Sequence, residues 1–167
     1  MIVTDDDKLV EKIERLKNHG RLDRRDVHPV VGFKFYFTDL LASLGLAQMQ
    51  KLEERVGWKH KLCHWYCDRL EDLDGVLVKR PDDGICPWYP DLFIENRDGL
   101  KAYLQENNIQ SRSYYPAIHT QPSYARNGAF PIATSVGRKG LWLPSAAYVD
   151  EATVEYVCQH IQGWVNR

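Results

Sequence analysis

His119 is the histidine in the richest chemical company in this sequence. Arg112, Tyr114, Tyr115 and Gln121 lie within a few positions of it, at the end of an expected strand and on the loop that follows. Loops carried by a rigid scaffold are where binding side chains concentrate, and these residue types supply donors and acceptors rather than a covalent nucleophile. Plain loop packing accounts for the same residues equally well. His60, Cys63, His64 and Cys67 form a second grouping, at i, i+3, i+4 and i+7 of a helix and therefore on one face. They are zinc-ligand types, but four side chains from one straight helix approach a metal from a single side and cannot close a tetrahedron. The expectation is therefore no metal, with two small buried thiols and two solvated imidazoles. No serine-type or cysteine-type catalytic arrangement and no glycine-rich phosphate loop is visible.

The bulk composition narrows the partners. With 22 Lys plus Arg against 23 Asp plus Glu and a net charge of -1, the chain offers no electrostatic footprint for nucleic acid or acidic membranes. A small molecule or a protein is the expected partner. No run of 18 apolar residues and no signal-peptide pattern appears. The four cysteines show no disulfide-framework spacing, so a reduced, cytoplasmic protein is expected. At 167 residues the chain can bury roughly 70% of its unfolded surface, enough for one real core.

The elements that position these residues follow from periodicity and caps. Ile2-Val3-Thr4 reads as a short strand that either joins a distant strand or lacks its partner. Thr4 and Asp7 resemble a capping box for a helix from about Asp5 to Lys17, with Leu9, Ile13 and Leu16 on its buried side. Asn18-His19-Gly20 ends that helix, and a charged loop runs to Pro29. From Gly32 to Phe37 aromatic and other side chains alternate, an extended pattern that Thr38 stops by capping a long helix. Leu41, Leu44, Met49, Leu52, Val56, Leu62, Tyr66, Leu70 and Leu73 make the apolar stripe of this helix. Gly57 predicts a bend or break in it, and Gly75 a left-handed stop.

Downstream, Val76–Val78 and Trp88–Glu95 read as an antiparallel strand pair joined by Pro81 and the turn Asp82-Asp83-Gly84. Asn96 caps a helix to about Glu106, with Leu100, Tyr103 and Leu104 inward and Asn107-Asn108 as a left-handed terminator. Ile109–Tyr115 is the third strand, followed by a loop from Ala117 to Gly128, a short helix from Ile132 to Lys139 and the run Leu141-Trp142-Leu143-Pro144. The last helix has Asp150 as cap, Val149 and Val154 as hydrophobic staple, and Val157, Cys158, Ile161, Trp164 and Val165 on one face. The predicted class is α+β, a small, mostly antiparallel three-stranded sheet packed with helices, plus a long connecting helix. The expected organisation is residues 1–37, then the helix at 38–75, then a small C-terminal domain at 76–167.

Several of these stretches together are recognisable. Ile2-Val3-Thr4-Asp5-Asp6, Leu16 to Gly20, Gly32-Phe33-Lys34-Phe35 through Ala42 to Gln48, Ile109-Gln110-Ser111-Arg112, Tyr115 to Pro122 and Leu141-Trp142-Leu143-Pro144 occur in order along nearly the whole chain. Together they resemble the C-terminal portion of the DegT-type sugar-nucleotide aminotransferases, which include the perosamine synthases. The resemblance implies the C-terminal domain of a fold type I enzyme that depends on pyridoxal phosphate and moves an amino group from glutamate to a keto-deoxy sugar carried on a nucleotide. It also implies dimers with active sites shared between subunits. Lys34 and Tyr36 stand at the two candidate positions where the family places an asparagine for the neighbouring subunit's cofactor phosphate, and are the expected cofactor-binding residues. Arg112, Tyr115, His119 and Gln121 are the expected substrate-binding residues, Arg112 towards phosphate and His119 towards a sugar hydroxyl.

In the family the lysine that condenses with the cofactor, the aspartate at its ring nitrogen and the aromatic stacked on it all lie upstream of the segment matching Ile2-Val3-Thr4. No catalytic residue is therefore expected here, and the chain alone is expected neither to bind the cofactor nor to transaminate. Such a chain can be a cut piece, a shortened gene product or half of a split enzyme, working as a homo-oligomer or with a complementing N-terminal half. The alternative is a non-catalytic binding or assembly module derived from that domain.

Overall fold

In the computed structural model, residues 2–21, 26–34, 38–82, 85, 87–124 and 128–167 are described. They gather into two compact units, one of Met1–Leu44 with Tyr115–Thr134 and one of Gly45–Tyr114 with Ser135–Arg167.

The second unit holds the sheet and the core. Helix α3 (Leu52–Leu70) leads into strand β1 (Val76–Val78), β2 (Asp91–Ile94), helix α4 (Arg97–Glu106), β3 (Arg112–Ser113), the end of helix α5 (Pro131–Lys139), β4 (Gly140–Trp142) and helix α6 (Glu151–Val165). The strand order is β1-β2-β4-β3, and every neighbouring pair is antiparallel. The α+β antiparallel class is thus as expected, but the sheet has four strands, not three. The added strand is the run around Leu141, which inserts between β2 and β3, with Leu92 opposite Leu141 and Val78 opposite Leu92. Pleating turns Val76, Val78, Leu92, Ile94 and Leu141 to one face, where they are buried against Leu100 and Leu104 of α4 and Val154, Val157 and Ile161 of α6. Leu62, Tyr66 and Leu70 of α3 complete this core.

Capping explains the element ends. The Asn96 side chain accepts from the Gly99 amide at 3.2 Å, and Asp150 accepts from the Thr153 amide at 2.9 Å. The Asp150 carboxyl is held below its ordinary range by the Thr153 hydroxyl and amide. Asn108 adopts φ 60° after α4, the left-handed conformation expected of it, and Gly75 adopts φ 75°. Helix α3 nevertheless stops at Leu70, five residues before Gly75, so that glycine turns the chain into β1 rather than ending the helix. Arg69 fastens α3 to α6 through Glu151 and Glu155, and Gln162 donates to the Arg69 carbonyl at 2.8 Å.

The expected long helix is two helices, α2 (Asp39–Met49) and α3, separated at Gln50 and Lys51. Gly57 lies inside α3 with nothing within 4 Å of where a Cβ would sit. The break therefore falls where polar side chains follow Met49, not at the glycine. Helix α2 buries none of its residues.

In the first unit, α1 (Asp7–Lys17) is capped by Asp6, whose carboxylate accepts from Lys8 and Leu9, while the Thr4 hydroxyl accepts from Asp6 itself. The charged acceptor takes the cap and moves the start two residues beyond the expected one. Leu9 is exposed, and Ile13 and Leu16 are half-buried. Ile2-Val3-Thr4 joins no strand among the described residues. The chain returns along the end of α1, where the Phe33 amide donates to Leu16 and the His19 amide donates to Phe33. Gly20, at φ 83°, and Gly32 make that approach possible. A Cβ on Gly20 would lie 1.8 Å from the Val30 carbonyl oxygen, and one on Gly32 would lie 1.9 Å from the Gly20 nitrogen. The remainder of the aromatic turn, Phe35 to Phe37, lies outside the described residues, as do Asp83 and Gly84 of the expected turn before β2.

Candidate functional site

In the first unit the expected site residues meet the backbone. The chain from Ile118 to Tyr124 winds as two single 3₁₀ turns, which bring His119 and Gln121 to successive positions on one short segment. Gln121 is buried, 8% exposed, and both ends of its amide are engaged: Nε2 donates to the Asp26 carbonyl at 2.9 Å and Oε1 accepts from the His28 amide at 3.0 Å. The His28 ring Nδ1 lies 2.7 Å from the His19 carbonyl oxygen, and Ser123 donates to the His28 carbonyl through both its amide and its hydroxyl. Gln121 is thus a clamp on residues 26–28. His119 is half-buried, its ring 4.9 Å from the Phe130 ring centroid and its Nε2 3.3 Å from the Thr134 hydroxyl. Lys34 and Tyr115 are exposed, and Tyr36 lies outside the described residues.

In the second unit a cleft of about 790 Å³ opens beside β3. Trp88, Tyr89, Trp142, Tyr148 and Tyr156 contribute rings to it, Arg112 and Lys59 contribute cations, and no carboxylate is among its described lining residues. The rings are ordered by the sheet. Asp91 and Arg112 both face Trp142 across the ladder, so the face opposite the core carries Trp142 with Tyr114 and Phe93 beside it. Trp88 stacks on Tyr89 at 5.9 Å, Tyr89 on Trp142 at 4.9 Å, and Tyr114 leans on Trp142 at 4.8 Å and on Phe93 at 5.3 Å. Trp142 donates its indole N–H to Asp91 at 3.0 Å, and the Arg112 guanidinium lies 5.6 Å from the Trp142 ring centroid. Burial and the hydrogen bond to Asp91 push the Tyr114 phenol above its ordinary range. Lys59 Nζ donates to the Trp88 and Ser145 carbonyls, both at 2.8 Å, tying the entry to β2 and the exit from β4 to α3. A planar anion suits this chemistry, since rings stack on its flat face and cations meet its charge.

Of the expected residues, the structure therefore brings His119 and Gln121 together in one unit and sets Arg112 in the cleft of the other. Lys59, Trp88, Tyr89 and Trp142 were not expected as site residues. The Lys59 partners lie 29 and 86 positions away, so no local pattern marks it. Trp88 and Tyr89 lie between Pro87 and Pro90, a pattern that favours a strand edge and does not mark a cleft wall.

Along the grouping at 60–67, Cys63 and Cys67 turn into the core, while His64 is exposed with Nδ1 2.7 Å from the His60 carbonyl oxygen. Burial pushes the Cys67 thiol up and the Cys158 thiol up to about 12. No described helix is long and apolar enough to cross a membrane.

The helix-covered antiparallel sheet is that of the C-terminal region of fold type I sugar aminotransferases. The chain belongs to the DegT/DnrJ/EryC1/StrS aminotransferase family, whose model matches residues 1–162. It is 29% identical to a GDP-perosamine synthase of Vibrio cholerae over 177 aligned positions, covering 99% of this chain and 48% of that protein. A GDP-perosamine synthase of Caulobacter vibrioides is 30% identical over 169 positions, with 94% and 45% covered. The crystal structure of a DegT DnrJ EryC1 StrS aminotransferase from Brucella abortus superposes with a TM-score of 0.70 at 26% identity, covering 98% of this chain and 45% of that one. The chain spans about half the length of the curated relatives it matches.

The family depends on pyridoxal phosphate. Holding that cofactor for catalysis takes a sequestered lysine amine and a buried carboxylate at the ring nitrogen. Among the described residues no lysine and no carboxylate is buried, Gln121 being the one buried polar residue. These residues by themselves do not fit the cofactor.

Proposed function

We propose that this chain is the substrate-facing portion of a sugar-nucleotide aminotransferase, acting where an amino group passes from glutamate to a keto-deoxy sugar carried on a nucleotide. The observation that carries this reading is the contrast within the chain. Rings and cations line a cleft without a described carboxylate, whereas no described lysine or carboxylate is buried where it could serve pyridoxal phosphate. Among the described residues, rings and cations for binding are present and a buried lysine or carboxylate is not. Arg112 is assigned to a phosphate, His119 to a hydroxyl of the sugar, and Lys34 and Tyr36 to the cofactor phosphate of a complete site. Gln121 acts on these only by holding the segment that carries His119. The chain alone does not transaminate on this reading, and its partner is a second copy of itself or a complementing half that binds the cofactor. The buried thiols of Cys63, Cys67 and Cys158 suit a cytoplasmic setting.

The exposure of α2 favours a second reading, an assembly module that uses the family surface without catalysis. Incubation with pyridoxal phosphate, with and without the N-terminal half of a perosamine synthase, separates the two. The isolated chain should give no visible absorbance of lysine-bound cofactor. Restored amino transfer in the mixture, lost with Arg112→Ala, supports the enzyme portion; a bound-cofactor band in the chain alone would overturn it.

A further inference from the structure

Hydrogen bonding around Thr134 fixes which nitrogen of His119 carries its proton. The Thr134 hydroxyl lies 2.9 Å from the Phe130 carbonyl oxygen and 3.3 Å from His119 Nε2. A carbonyl oxygen only accepts, and a hydroxyl has one hydrogen. That hydrogen goes to Phe130, because two lone pairs facing each other at 2.9 Å would repel. The same hydroxyl oxygen then accepts, so Nε2 of His119 must be the donor. In a neutral imidazole one nitrogen donates and the other accepts. Nδ1 is therefore the accepting nitrogen, and it has no hydrogen-bond partner among the described residues.

The rest of the geometry holds the ring in that state. Thr134 sits in the first turn of α5, where its amide also donates to Phe130 at 3.0 Å, so hydroxyl and backbone share one anchor. The Phe130 ring packs on the imidazole at 4.9 Å, which restrains rotation of the ring about its bond to Cβ. We propose that Thr134 is a positioning residue that locks His119 in its Nε2–H tautomer, leaving Nδ1 to accept from a donor group of the ligand. A hydroxyl or an ammonium fits that nitrogen, and a phosphate oxygen does not. The use of His119 in substrate recognition rests on the function proposed above; the tautomer itself does not.

The test is imidazole nitrogen NMR on the full chain, at about pH 8.5, where imidazoles are neutral. In the unmodified protein, Nδ1 of His119 should show the downfield shift of an unprotonated nitrogen and Nε2 the upfield shift of an N–H. Thr134→Val keeps the shape of the side chain and removes the oxygen, so the two shifts should move toward each other as the tautomers mix. Thr134→Ser, which restores the oxygen, should return them. A protonated Nδ1 in the unmodified chain, or shifts unmoved by Thr134→Val, would overturn the assignment. If the valine variant does not fold, the spectrum of the unmodified chain alone still decides. No ligand or cofactor enters this measurement, so failure here leaves the complementation test of the proposed function intact.

Discussion

At the scale of single residues, Gln121 shows how a side chain that reads as binding can serve the scaffold. Both ends of its amide are taken by backbone 93 and 95 positions away, pairings that no local spacing reveals. Gln121→Ala leaves the His28 amide and the Asp26 carbonyl without these partners in a half-buried place, which costs about 1–3 kcal/mol. Urea unfolding should register that loss, and hydrogen exchange at the His28 amide should accelerate; unchanged exchange would remove the clamp role. The sequence singled out His119 and Arg112 as candidates, each in its own unit, because a strand end and its following loop are contiguous along the chain. Lys59 stayed hidden because its partners lie 29 and 86 positions away, and Thr134 because its pairing with His119, 15 positions away, follows no helical or strand spacing. The buried thiols give a pH-dependent consequence. Burial raises the Cys158 thiol from 9.0 to about 12, and Tyr66 moves up for the same reason. Above pH 9.0 the unfolded chain releases a proton that the folded chain keeps, so this contribution to stability is complete below that pH and declines as pH rises toward about 12. The urea midpoint should fall across that window, and Cys158→Ala should make the fall shallower. A slope unaffected by the substitution would assign the decline to other groups.

At the scale of elements, long periodic segments with clear caps were the readable ones. Helices α1, α4 and α6 and strands β1 and β2 were all foreseen, within a few residues at their ends, because apolar spacing and capping side chains act locally. Strand β4 was not foreseen, since β1 and β2 follow each other along the chain as neighbours whereas the place of β4 between β2 and β3 depends on contacts far along the chain. The same strand carries a sharp steric requirement. A Cβ on Gly140 would lie 2.5 Å from Cγ of Tyr114, whose ring leans on Trp142. Gly140→Ala must therefore displace Tyr114 from the aromatic row, an overpacking cost of about 1–3 kcal/mol. Circular dichroism in the aromatic region should lose intensity together with a drop in melting temperature. An unchanged aromatic spectrum would mean that the row tolerates the methyl without moving.

At the scale of the whole molecule, the unusual feature is a helix that is apolar and yet bare. Along α2, Leu40 is 81% exposed, Leu46 73% and Met49 62%, and none of its residues is buried. A helix apolar on every side belongs in a core, and burying a leucine contributes about 1.5–3 kcal/mol, so a strong drive exists to cover it. Covering by a second copy of the chain, one of the proposed partners, gives a concentration-dependent mass above the 19.4 kDa of the single chain. Leu40 and Leu44 are four residues apart and share one side of the helix, so Leu40→Glu with Leu44→Glu places two charges in any such interface. Sedimentation of the unmodified chain should show a heavier species that grows with concentration, and the double variant should remain monomeric while keeping its aromatic circular dichroism. A unmodified chain that stays monomeric at high concentration rules out the second copy as the cover. The added N-terminal half of a perosamine synthase then becomes the partner to test, and its binding should be weakened by the same two substitutions.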